Sequence, residues 1–157
     1  MGKKLKLTMM LGLGLAVLAG VSGCASAAPS SHAAFDPATG QFAPCPDSPN
    51  CVSTAASDER HAIEPYTFTG ATADAKARML AIVADMPRSK VVADEGDYLH
   101  VEFRSRIFRF VDDVEFFFDE ADSVVQFRSG SRTGYSDMGV NRKRMEEIRE
   151  RFAASAP

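Results

Sequence analysis

Tryptophan is absent from the 157 residues, and histidine and cysteine occur three times each. Without Trp, the eleven phenylalanines must supply much of the aromatic core. No two of His32, His61 and His100 sit at metal-ligand spacing, so the sequence offers no metal site and implies no cofactor. No apolar run reaches the roughly 20 residues of a membrane-spanning helix. The longest, residues 7–21, is broken by Thr8, Gly12, Gly14 and Gly20. A basic excess is also missing. Of 18 Lys and Arg, three (Lys3, Lys4 and Lys6) precede Cys24, and the rest of the chain sets 15 basic against 21 acidic side chains. That acidic balance excludes a general nucleic-acid binder. The length predicts one domain, or one domain plus a tail.

Three lysines followed by a short apolar stretch have the form of a secretory signal. The stretch ends Val21-Ser22-Gly23-Cys24, which resembles the lipobox of bacterial lipoproteins. The resemblance implies cleavage before Cys24, a diacylglycerol thioether on its sulfur and acylation of the new amine. Small residues beside the thiol let the backbone enter a peptidase. The competing reading is an uncleaved signal anchor with an incidental Cys. Each buried CH2 contributes about 0.8 kcal/mol, so two or more acyl chains anchor stably. Ala25 in place of Asp after the Cys favours, by resemblance to Gram-negative sorting, the outer membrane. The expected location is therefore the cell envelope, membrane-anchored and facing the periplasm. Residues 1–23 are read as signal peptide, 24–44 as a flexible tether and 45–157 as a single domain.

The tether is rich in Ala, Ser and Pro, with Asp36 its only charge. Twenty residues of such coil span about 22–27 Å. A second reading docks Phe35 and Phe42 onto the domain. Cys45 and Cys51 are the two thiols left once Cys24 is acylated, and an oxidising compartment favours a disulfide between them. The chain-entropy model gives so short a loop roughly 2–2.5 kcal/mol. A metal or redox pair is the rival, but the spacing matches neither C-x2-C zinc nor C-x-x-C redox patterns.

Tyr66, Thr67 and Phe68 predict a short strand. Thr72 is a candidate cap for a helix over 73–86, with Asp74 in its first turn and Pro87 ending it. Ala75, Met79, Ile82, Val83 and Met86 recur at helical spacing. Residues 91–93 begin an extended segment, and Glu95-Gly96-Asp97 is a hairpin turn. Residues 98–105 alternate, with Leu99, Val101 and Phe103 opposite His100, Glu102 and Arg104. Residues 113–119 repeat this, with Val114, Phe116 and Phe118 opposite Glu115 and Phe117. After a turn at 119–122, Val125 and Phe127 face inward from a further strand over 123–129. A Gly- and Ser-rich loop leads to a last helix over 140–152, with Val140, Met145, Ile148 and Phe152 near one face. This pattern predicts an α+β fold, an antiparallel β-meander with two helices packed on one face. The other face, carrying His100, Glu102, Arg104, Glu115, Gln126 and Arg128, is expected to be partly wet.

Three segments together resemble a family known only as a domain of unknown function, DUF1499. They are Cys45-Pro46-Asp47-Ser48-Pro49-Asn50-Cys51-Val52-Ser53, the run from Arg106-Ile107-Phe108-Arg109-Phe110 through Val111-Asp112-Asp113-Val114-Glu115, and the run from Arg128 to Arg142 that includes Ser131-Arg132-Thr133-Gly134-Tyr135. The resemblance covers roughly residues 45–152 and implies a domain often found behind a lipoprotein signal, with no established activity. Phe117 stands where such proteins often look polar.

The densest polar constellation is Arg128, Ser129, Ser131, Arg132, Tyr135, Ser136, Asp137, Asn141, Arg142 and Arg144. A loop running into a helix N-terminus favours anions, and arginines add bidentate donors. Arg104, Arg109, Arg128, Arg132, Tyr135, Asn141 and Arg142 are therefore candidates for binding an anionic small molecule, lipid or peptidoglycan fragment. The alternative is intramolecular: Asp137 or Ser136 caps the helix, and the arginines pair with Asp112, Asp113 and Glu115. Asp113 and Glu115 share a strand face and could do acid–base work, or form a salt-bridged strand. Residues 119–122 lack the EF-hand pattern. No G-x-S-x-G elbow is present, and no residue is assigned a catalytic role. The sequence thus points to a non-enzymatic envelope protein binding an anionic ligand or partner. An assembly factor acting by protein contacts and an enzyme of unknown reaction are the alternatives.

Overall fold

The computed structural model describes residues 32–156. The expected signal segment, Cys24 and the first part of the expected tether lie outside the described residues. The chain is α+β. Strands β3 (Cys51–Ser53), β4 (Tyr66–Thr67), β5 (Ser89–Glu95), β6 (Tyr98–Arg104), β7 (Val111–Asp119) and β8 (Val124–Ser131) form one sheet. Its order is β3-β8-β7-β6-β5, with β4 also on β8, and every pairing is antiparallel. Helices α1 (Thr72–Asp85) and α2 (Val140–Ala154) complete the layer. Strands β5 to β8 follow one another as a meander. A two-residue turn, Gly96-Asp97, joins β5 to β6, and Gly96 takes the left-handed φ of 52° that such a tight turn requires.

The period-2 alternation of β6 and β7 divides their side chains between two faces. Leu99, Val101, Phe103, Val114, Phe116 and Phe118 join Val125 and Phe127 against α1 and α2. The helices contribute Ala75, Met79 and Val83 from one, and Met145, Ile148 and Phe152 from the other. Two details differ from the helical reading. Ala71, not Thr72, takes the N-cap of α1, and Thr72 Oγ1 is buried without a hydrogen-bond partner. Val140 is exposed and Asn141 turns inward instead: Asn141, Met145, Ile148 and Phe152 follow one another at steps of four, three and four residues, whereas Val140 lies five before Met145 and falls off that stripe. Asp137 does stabilise that helix start: its two oxygens accept the backbone N–H groups of Gly139 and Asn141 at 2.9 and 2.7 Å.

The opposite sheet face is only partly wet: Arg104 is exposed and Gln126 and Arg128 are half-buried, but His100, Glu102 and Glu115 are buried. A hairpin of β1 (Phe35–Asp36) and β2 (Gln41–Phe42) lies on it. The Phe35 ring stacks on Tyr98 at 4.9 Å and on Phe117 at 5.0 Å, and packs against Phe42 at 5.2 Å. The Glu115 carboxylate accepts the backbone N–H of Ala34 (2.8 Å) and of Phe35 (2.9 Å), and the Tyr98 hydroxyl (2.6 Å). Residues 34–43 therefore belong to the fold, as the reading that docks Phe35 and Phe42 on the domain expects. Docking wins because it removes aromatic surface from water and gives a buried carboxylate three donors. Phe117, expected to set this face apart, is half of the seat for Phe35. Cys45 and Cys51 form a disulfide, which ties the segment after β2 to the start of β3.

Candidate functional site

Asp112 and Asp113 are adjacent on β7, so their side chains point to opposite faces of the sheet. Each captures one arginine. On the hairpin face, Arg132 Nε donates to Asp113 Oδ2 at 2.7 Å, and its Nη2 donates to Glu102 Oε1 at 2.6 Å and Asp113 Oδ1 at 2.7 Å. His100 Nε2 meets the same Asp113 Oδ1 at 2.7 Å, and Arg104 reaches Glu102 Oε2 at 3.0 Å. His100, Glu102, Asp113 and Glu115 are all buried. Burial alone would raise the carboxyls of Glu102 and Asp113. The bonds from Arg132 and Arg104 to Glu102, and from His100 and Arg132 to Asp113, override it and hold both below the usual range. Arg132 is raised in turn, first by its bond to Asp113.

On the helix face, Asp112 accepts Ser131 Oγ and Arg144 Nη2, each at 2.6 Å. Arg144 also lies over the Phe103 ring, 4.7 Å from its centroid. Asn141 is the hub of this cluster. Its side-chain oxygen accepts Ser129 Oγ at 2.6 Å and Arg144 Nη1 at 2.8 Å. Its amide donates to Asn50 O, Ser131 Oγ and Asp137 Oδ2. Asn50 Nδ2 closes the loop by donating to Gly134 O at 2.6 Å. Three distant stretches of chain, around Asn50, Asp112-Asp113 and 129–141, are locked together at one end of the sheet.

The candidate anion-binding residues therefore divide. Arg132, Asn141 and Arg142 spend their donors inside the molecule, Arg142 on the backbone oxygens of Arg60 and Ala62 at 2.9 Å each. Arg128 lies half-buried on the hairpin face with its Nε unpartnered, and burial lowers its guanidinium, opposed by Glu115 and Asp113. Arg104 is shared with Glu102. Arg109 and Tyr135 are exposed. Among the described residues, Arg109 and Tyr135 line neither of the cavities described below. A cavity of about 590 Å³ beside the first hairpin is lined by Phe42, Thr54, Asp58, Phe117, Asp119 and Gln126. Another of about 560 Å³ takes Arg142 and Arg149 with Glu146, Ile63 and Pro65. Among the described residues, no three His, Cys, Asp or Glu are placed to hold a metal ion, and no helix is long and apolar enough to cross a membrane.

Two features escaped the sequence reading. One is the pair of partners that seats Phe35, Glu115 and Tyr98, although docking of Phe35 and Phe42 was itself one of the readings. The other is the exposed loop between β6 and β7, where Ile107, Phe108 and Phe110 stand out of the fold. Its signal was present as an apolar run between arginines at a place where turn residues are normal. Comparison with curated proteins finds no match. The model of the family described as "Protein of unknown function (DUF1499)" matches residues 41–152, and the chain belongs to that family.

Proposed function

We propose that the protein is an exported lipoprotein, acylated at Cys24, that acts at the periplasmic side of the cell envelope by binding an anionic component, not by catalysis. Where the host has an outer membrane, Ala25 favours that membrane as its address. The observation that supports the binding surface is charge segregation. Arg88, Arg104, Arg106 and Arg109 are exposed at the end where β6 finishes and β7 starts. Asp94, Glu95, Asp97, Asp119, Glu120 and Asp122 occupy the opposite end, at the β5–β6 and β7–β8 turns. A chain that is acidic overall thus offers one basic end, where an anion is attracted and the rest of the molecule is held away. His100 and Asp113 are in contact and both are buried, which favours a structural over a catalytic role for the pair.

This reading narrows the anion-binding residues to the exposed ones, Arg104 and Arg109 with Tyr135, joined by Arg88 and Arg106. Two experiments test it. Metabolic labelling with an alkyne fatty acid should mark the protein and fail with Cys24→Ser; equal labelling of both removes the anchor. A photo-crosslinker at position 109 in intact cells should capture an anionic envelope component. An acylated protein that yields no adduct at 109 would overturn the binding surface.

A further inference from the structure

The β6–β7 loop presents large apolar side chains to solvent: Ile107 is 79%, Phe108 75% and Phe110 51% exposed. The rings of Phe108 and Phe110 stack on each other at 5.6 Å. The loop is closed at its base, because Ser105 N donates to Phe110 O and Phe110 N donates to Ser105 Oγ, both at 2.9 Å. Arg109 adopts a left-handed φ of 55°, an uncommon conformation for a residue with a side chain. The tip is therefore shaped to hold apolar groups outside the fold, at a position where burying them would be favourable. Arg104, Arg106 and Arg109 flank them, and no acidic residue occurs between Glu102 and Asp112.

The path of the chain brings this tip and the start of the described residues to the same side. Phe35 lies level with Tyr98 and Phe117, which pair across β6 and β7. One residue earlier, Ala34 reaches Glu115, level with His100. Its hairpin partner runs the opposite way, through Ala43, bonded to Ala34 O, towards Cys45, whose disulfide partner Cys51 pairs with Gly130 at the level of Asp113. The chain therefore enters the fold from the end bearing the β6–β7 loop and travels towards the acidic end. Cys24 precedes His32 by eight residues, a reach of at most about 29 Å.

We propose that the β6–β7 loop is a second membrane contact, in which Ile107, Phe108 and Phe110 enter the interfacial layer of the bilayer that holds the lipid anchor. Arg106 and Arg109 lie at its phosphates. This rests on the reading of Cys24 as the anchor and of the basic end as the anion-binding surface, and it names the anion as the phospholipid headgroup. Apolar side chains flanked by arginines match the depth profile of a bilayer interface, apolar inside and anionic at the rim. The acidic opposite end is repelled by the same surface, so the field orients the domain as the tip requires. Anchor and tip together would hold the sheet upright on the membrane, with the acidic turns furthest out.

The chain has no tryptophan, so one indole reports one place. The full acylated chain carrying Phe108→Trp is mixed with phosphatidylglycerol–phosphatidylcholine vesicles, with bromine-labelled lipid tails as quencher. Ala121→Trp, in the turn at the opposite end, serves as control. The expected result is a shift of emission to shorter wavelength and loss of intensity at position 108, neither at 121, and a weaker effect when Arg106→Glu and Arg109→Glu are added. Protein that floats with vesicles but is unquenched at 108 overturns the insertion and leaves the anchor standing. A blue-shifted, unquenched indole whose shift depends on protein concentration, not on vesicles, assigns the tip to a second copy of the chain and also overturns it. Protein that does not float at all removes both the insertion and the anchor.

Discussion

Arg132 is the place where a structural and a ligand-binding reading of the arginines diverge most. Replacing it with Ala removes three hydrogen bonds, two of them to Asp113 and one to Glu102. Asp113 and Glu102 are 4% and 8% exposed, so the carboxylates left behind are poorly hydrated. Breaking a buried ion pair on one side costs about 3–5 kcal/mol. His100 remains on Asp113 and Arg104 on Glu102, and Arg132 keeps a fifth of its side-chain surface in solvent, which places the expected loss at the lower end, about 3 kcal/mol. For a domain of this size that is a fall of roughly 10 °C in the melting midpoint. Urea and thermal unfolding of wild type and Arg132→Ala, followed by circular dichroism at neutral pH and again in acid, measure it. The deficit should shrink in acid, where protonation of Glu102 and Asp113 removes what Arg132 compensates. A loss below about 1 kcal/mol at neutral pH, or a loss independent of pH, would refute the reasoning. So would a stabilisation, which is what removing an arginine held for an external anion would produce.

Four further outcomes follow from the same geometry. Glu102 and Asp113 lie below their ordinary values of 4.5 and 3.8; the stability they contribute is complete above about pH 4.5 and is lost as pH falls through the depressed values, so the melting midpoint should drop steeply only in that acid range. Reducing the Cys45–Cys51 disulfide should cost about 2–2.5 kcal/mol from loop entropy, read as a lower urea midpoint together with two newly alkylated thiols. Phe35→Ala should release the first hairpin with a loss of about 2 kcal/mol, and hydrogen exchange should then speed up at the Ala34 and Phe35 amides but not in β7. Tyr66 and Tyr98 are both raised by burial, Tyr98 also by its bond to Glu115, so spectrophotometric titration should ionise neither of them before the domain unfolds.

The meander and both helices were legible because their apolar periods are long and their breakers, Pro87 and the turns at Gly96 and 119–122, sit where the periods end. Leu99, Val101 and Phe103 could face only one way once Val114, Phe116 and Phe118 did the same. The first hairpin was not legible in the same way. Two-residue strands have no period, and what holds Phe35 is the carboxylate of Glu115, 80 residues further on. The charged face is partly wet, as expected, but which of its charges are buried was not legible, for a related reason. Charges usually mark water, but here Glu102 and Asp113 are neutralised by Arg132, and the hairpin covers Glu115. Val140 and Asn141 exchanged places because the stripe of Met145, Ile148 and Phe152 continues back at helical spacing to position 141, where a polar residue stands beside an apolar one. The candidate anion-binding residues divide between internal partners and solvent, and the sequence did not show that division. It could not distinguish an arginine bound to a neighbouring carboxylate from one held out to solvent, since both look alike as a residue type beside a glycine-rich loop.

If Cys24 is acylated as proposed, the basic tip has a bilayer to meet and the other two cysteines lie in an oxidising compartment. Intact mass spectrometry of the native protein extracted from membranes tests that acylation directly. The prediction is a chain that starts at Cys24 and carries the added mass of a diacylglycerol and a third acyl group. A chain that starts at Met1 without fatty acids would contradict it.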